Sequence, residues 1–179
     1  MFCPLATNRA QKPLLVGRQA WYNIGSGDDF TADSVSCSLD AMATPQMTRI
    51  YVTHCSHKKE ERYKGTGEVI SPDLLYTAKP VQRFMAKCNQ RAVRWAIFSD
   101  LYGVWFPEVR HAWYEKDPDT VSGIEFWALL RDFDEKLTSY SEIYFYYNPG
   151  RFHPLYGCLL NRSALGDRIR RITHLSEII

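Results

Sequence analysis

No apolar run in this chain of 179 residues approaches the roughly 18 residues needed to cross a bilayer, so no membrane partner is expected. The amino-terminus lacks a basic stretch followed by an apolar one, so a secretory leader is not expected either. The five cysteines (Cys3, Cys37, Cys55, Cys88 and Cys158) are scattered, and none are in C-x-x-C spacing. An odd, dispersed set of this kind suits reduced thiols in a cytoplasmic protein. Net charge is only +2, too little to drive nonspecific nucleic-acid binding by itself. Walker A, G-x-G-x-x-G, H-E-x-x-H and G-x-S-x-G signatures are all missing. His54, Cys55 and His57 lie close together, but no second cluster completes a zinc-type spacing. Neither a metal nor any other cofactor is expected.

What is present is an ordinary globular balance, 45% hydrophobic and 23% charged. Aromatics are plentiful: eleven Tyr and five Trp are enough to line a surface as well as fill a core. The chain changes character near Met47. Residues 1–46 are rich in Ser, Thr, Ala, Gly and Asp and lack sustained periodicity, which predicts a poorly structured arm. Met42 and Met47 also allow translation to begin downstream of that arm.

Residues 47–179 alternate strand and helix patterns. Arg49–Thr53 reads as a strand, and a polar loop over Ser56–Ser71 follows it. Thr77–Asn89 reads as a helix with Pro80 in its first turn. Arg94–Ser99 reads as a buried strand, and Asp100–Ser122 as an irregular, Pro-bounded segment. Ile124–Leu137 is amphipathic, with Phe126, Trp127, Leu130, Phe133 and Leu137 on one face. Glu142–Tyr147 is a third strand, and Pro154–Leu160 begins a helical carboxy-terminal region. Strands separated by helices of these lengths predict right-handed crossovers. The expected fold is a three-layer α/β/α domain with a mainly parallel central sheet.

Chemistry concentrates where the predicted strands end, which is where open α/β sheets place ligands. After the first strand come His54, Cys55, Ser56, His57, Lys58 and Lys59, offering imidazole, thiol, hydroxyl and ammonium groups within six residues. Ser56, Lys58 and Lys59 suit a phosphate or carboxylate. Cys55 is either a nucleophile or small core filling, and Lys58–Arg62 is equally readable as a solvated charge run. Ser99, Asp100, Tyr102 and Gly103 follow the second strand. Asp100 is suited to general-base work, or to capping a turn. Glu108–Asp117 mixes acids, bases and rings, so Trp105, Trp113 and Tyr114 either stack on a base or pin the loop to the core. After the third strand, Arg151 and His153 precede a helix that opens with Pro154, an arrangement favourable to an anion. Arg162, Arg168, Arg170 and Arg171 form a basic carboxy-terminal stretch, read either as a phosphate-contacting or as a solvated helix face.

The succession strand–Cys55-Ser56-x-Lys58-Lys59, then Leu75-Tyr76-Thr77, then Ile97-Phe98-Ser99-x-x-Tyr102-Gly103 resembles a prokaryotic domain family found near tRNA-guanine transglycosylase-like and archaeosine-type tRNA modification proteins. The resemblance covers about residues 48–160. Glu108 and Tyr114 fall where that family has an acidic residue and a Pro-Tyr-Asp element. The chain departs from the family at His54, His57 and Asp100-Leu101, the last replacing Ala-Lys. The resemblance implies a nucleotide, nucleobase or nucleic-acid partner. Lys58, Lys59 and Arg151 would hold anionic groups, Tyr76, Tyr102 or Tyr114 would contact the base, and Asp100 or His153 would move protons. The rival expectation is a non-catalytic module that binds nucleic acid or protein through the aromatic loop and an Arg-rich carboxy-terminal helix.

Overall fold

The computed structural model describes residues 48–179; the expected arm over residues 1–46 lies outside them. In chain order, β1 is Arg49–His54, β2 is Val69–Ile70, α1 is Pro72–Leu75, α2 is Lys79–Gln90 and β3 is Arg94–Ser99. They are followed by β4 (Gly103–Trp105), β5 (His111–Ala112), α3 (Gly123–Leu137), β6 (Glu142–Tyr146), α4 (Pro154–Arg162) and β7 (Ile169–Ile172). The main sheet has the order β4-β3-β1-β6-β7. β1 is parallel to β3 and to β6, β7 is parallel to β6, and only β4 runs antiparallel. β2 and β5 form a separate two-stranded antiparallel ribbon.

The near-continuous apolar sequence of β1 follows from its central place, because a strand covered on both faces has no side to leave polar. Successive residues point to opposite faces. Ile50 and Val52 therefore join one core with Phe126, Phe133 and Leu137 of α3 and Leu159 of α4. Tyr51 turns the other way and joins a second core with Phe84, Met85 and Cys88 of α2. Each large side chain buried in this way stabilises the fold by about 1.5–3 kcal/mol.

α3 begins with a capping box, in which Ser122 and Glu125 satisfy each other's backbone N–H groups. Trp127, expected on its buried face, is 45% exposed. It stands beside Phe126, one residue round the helix from the apolar stripe. The basic carboxy-terminal stretch is not one helix: Arg162 ends α4, and Arg168 lies in the turn that leads into β7. Arg170 and Arg171 lie on β7, which among the described residues pairs with β6 alone. Charged side chains there discourage further strand pairing. Cys55 and Cys88 are free thiols. Among the described residues no helix is long and apolar enough to cross a membrane.

Register is what positions the site. His54 pairs with Phe98, and Thr53 pairs with both Ile97 and Tyr146. The carboxyl ends of β1, β3 and β6 therefore stop at one level, and their three loops open together.

Candidate functional site at the strand ends

A cleft of about 530 Å³ opens on this edge, within the usual size range for small-molecule sites. The loop after β1 supplies His54, Cys55, Ser56, His57, Lys58 and Lys59 to its lining. Asp100 comes from the end of β3, and Arg151, His153 and Tyr156 come from the segment after β6. Residues not assigned a role from the sequence also line it, among them Ala78, Pro80 and Val81 at the start of α2, Lys116 and Asp117, and Tyr146 and Asn148. Only the pairing register could have shown that these fall beside the others.

Asp100 is the chemical centre of the cleft. It is 4% exposed, and two protein groups donate to its carboxylate. The Cys55 thiol reaches Oδ2 at 3.1 Å, and the Tyr156 hydroxyl reaches Oδ1 at 2.8 Å. Burial raises its pKa above the usual aspartate value, while these two hydrogen bonds, the His54 ring whenever it is protonated, and the Lys59 ammonium pull the other way. The same burial, reinforced by the Asp100 charge, pushes the Cys55 thiol up to about 12. A thiol held there is not a nucleophile at neutral pH. Of the two readings of Cys55, the packed hydrogen-bond donor is the one the geometry supports.

His54 stacks on Tyr156, with ring centroids 4.8 Å apart. Its Nδ1 lies 2.8 Å from the Cys55 carbonyl oxygen, which can only accept, so Nδ1 carries the proton. Burial lowers the His54 pKa, so the ring is neutral with Nε2 as an acceptor. His153 is differently committed. Its Nδ1 accepts from the Leu155 N–H and so caps α4, and Nε2 contacts Asp119 at 3.0 Å. Both of its nitrogens are thus engaged within the protein at the rim of the cleft. The start of α4, expected to suit an anion, is occupied by this cap.

Five of the expected site residues are absent from the lining of this cleft. Tyr76 and Ser99 are fully buried and Tyr114 nearly so. The Tyr76 and Tyr114 hydroxyls are 2.7 Å apart, and Ser99 Oγ donates to Tyr114 at 2.9 Å while accepting the N–H groups of Leu101 and Tyr102. Tyr102 stacks on His111 at 4.1 Å, and its hydroxyl donates to the Ala112 carbonyl. Gly103 has φ +69°, and a Cβ there would come within 2.1 Å of Asp132. The Asp132 carboxylate accepts from the Val104 N–H at 2.7 Å, so Gly103 serves the turn between β3 and β4.

Lys59 is only 5% exposed and lines the cleft. Its ammonium lies 4.4 Å from the centre of the Tyr114 ring. No carboxylate pairs with it among the described residues. Elsewhere at the rim the Lys116 ammonium lies 2.8 Å from Glu125, and the His57 ring lies 3.5 Å from Glu115. Among the described residues no group of three or more His, Cys, Asp or Glu side chains is placed to hold a metal ion. Comparison with protein-family models, with curated proteins and with solved structures found no match.

Proposed function

We propose that this cleft binds a nucleotide, a nucleobase or a modified nucleic-acid component, and that Asp100 transfers a proton in glycosidic-bond or base-exchange chemistry. The observation that carries the proposal is a buried carboxylate lining a cleft that also holds Lys58, Lys59 and Arg151, which make no ion pair among the described residues. Burial brings Asp100 closer to neutral pH than a surface aspartate, and a group near the operating pH both gives and takes protons efficiently. Tyr156 and Cys55 hold the carboxylate in one orientation. The stacked His54 and Tyr156 rings form a flat wall suited to a base, and Lys58 and Arg151 offer cationic groups for anionic parts of the ligand. The resemblance of the strand-end motifs to a family associated with tRNA modification points the same way. The proposal takes the domain as three-layered, supported by the separate cores that α2 and the α3–α4 pair build with the sheet.

The alternative, a non-catalytic module using the Arg-rich carboxy-terminal segment, is disfavoured by where those arginines go. Arg168 donates to the Thr138 and Tyr140 carbonyls, Arg170 faces Glu142 at 3.8 Å, and Arg171 donates to Asn161. They are engaged within the domain.

The test is a panel of nucleosides and nucleotides incubated with the protein, with free base measured by chromatography. Asp100→Asn should lower turnover by about a hundredfold to ten-thousandfold while changing ligand affinity only a few-fold. If the wild-type protein releases no base from any member, or the variant is as active as wild type, the proposal fails.

A further inference from the structure

We infer that the start of α2 and Lys59 together seat a phosphate group, so that the ligand of the cleft is a phosphate monoester. This rests on reading the cleft as an anion site. α2 is twelve residues long, and its N-cap is Ala78, which has no side chain able to accept from the first turn. Pro80 brings no N–H of its own. The N–H groups of Lys79 and Val81 therefore lack an intrahelical partner, and the positive end of the helix dipole is not offset by a cap. α3 and α4 differ in this respect, being capped by Ser122 and His153. Of these three helices, α2 is the uncapped one, and Ala78, Pro80 and Val81 line the cleft.

Lys59 is the independent second observation. Its side chain is buried, lines the same cleft, and makes no ion pair or hydrogen bond among the described residues. A buried ammonium without a counter-ion is costly, and an aromatic face offsets that cost only in part. The backbone holds it against α2's approach: Lys59 bridges to Tyr76, and the Thr77 N–H donates to the Lys58 carbonyl. Ammonium and open helix end thus belong to two adjoining segments of one wall. A phosphate dianion would accept from the free N–H groups and supply the charge that Lys59 lacks. The acidic side chains on the lining are Asp100, whose oxygens already accept from Cys55 and Tyr156, and Asp117, which accepts from the Asp119 N–H.

The experiment uses the full chain and three probes: inorganic phosphate, adenosine with its 5′-monophosphate, and guanosine with its 5′-monophosphate. Amide NMR should show phosphate shifting Lys79 and Val81, and calorimetry should give at least tenfold tighter binding of a monophosphate than of its nucleoside. Lys59→Met should abolish that preference. Ala78→Asp, which places a carboxylate cap over the Val81 N–H, should abolish it while raising the melting temperature, so lost binding is not confused with lost folding. Equal affinity for nucleoside and monophosphate, or unmoved α2 amides, overturns the phosphate seat yet leaves the Asp100 reading standing. Phosphate binding at α2 with no contribution from either nucleoside supports the seat and overturns the nucleotide reading instead.

Discussion

Two polar networks lie close together at the ends of β1 and β3, and they differ in what remains open. On one side Tyr76, Tyr114 and Ser99 bond to one another, and their rings and hydroxyls are buried. On the other, Asp100 receives the Cys55 thiol and the Tyr156 hydroxyl but still lines a cleft. Both contain the residue types from which a site is built. The difference is that the first network has closed on itself, whereas the second leaves acceptor capacity facing the cleft. Lys59 joins them, with its ammonium over the Tyr114 ring and its charge acting on Asp100.

The sharpest way to break this contrast is to remove the hub of the sealed network. Tyr114→Ala should cost about 3–5 kcal/mol, in line with other large-to-small aromatic truncations, measured by urea denaturation. Full stability after that substitution would mean the tyrosines are held for a ligand and not for the fold. Gly103→Ala should be next. A left-handed backbone costs a non-glycine residue about 1–2 kcal/mol, and the new methyl must also displace Asp132. Thermal melts should show the loss, and an unshifted melt would remove Gly103 from the structural side.

The smallest effect belongs to Asp100 and depends on pH. Burial raises its native pKa, so the native state holds the proton more tightly than the unfolded chain. The resulting stabilisation is complete below the ordinary aspartate value of about 3.9 and is lost as pH rises through the raised native value. Asp100→Asn removes this titration. Its stability relative to wild type should therefore climb as pH rises from about 4 towards neutrality. A constant difference across that range would mean that Asp100 is not held in a desolvated place.

Where the chain repeats an apolar pattern over several residues, the sequence was sufficient. β1, β3, β6 and the helices α2, α3 and α4 all fall close to their expected positions, and so does the convergence of three loops. β4 and β7 were not legible, because neither has enough local pattern. β4 is three residues long and exists through its pairing with β3. β7 reads Ile-Arg-Arg-Ile, and its two arginines resemble a helix face until β6 is placed beside it. That Tyr76, Tyr102 and Tyr114 stand apart from this cleft is not legible for a different reason. A ring and hydroxyl look the same in sequence whether their partner is a ligand or another side chain. For α2, the sequence reads a helix from Thr77, whereas the helix starts at Lys79 behind an Ala78 that cannot cap it, and that this start opens on the cleft depends on the pairing of Lys59 with Tyr76.

The central place of β1 also governs how this domain is made. β1 precedes every other described strand in the chain, yet it lies at the centre of the sheet, between β3 and β6. Its Arg49 meets Glu142 across a separation of 93 residues. During synthesis, therefore, β1 leaves the ribosome with two unpaired edges, and the second stays open until β6 has emerged. Such distant parallel pairing is slow to form, and exposed edges invite association between nascent chains. Substitutions that weaken β6 would prolong this exposure, and their first sign would be a lower yield of soluble protein, with the affinity of the cleft unchanged in the molecules that do fold.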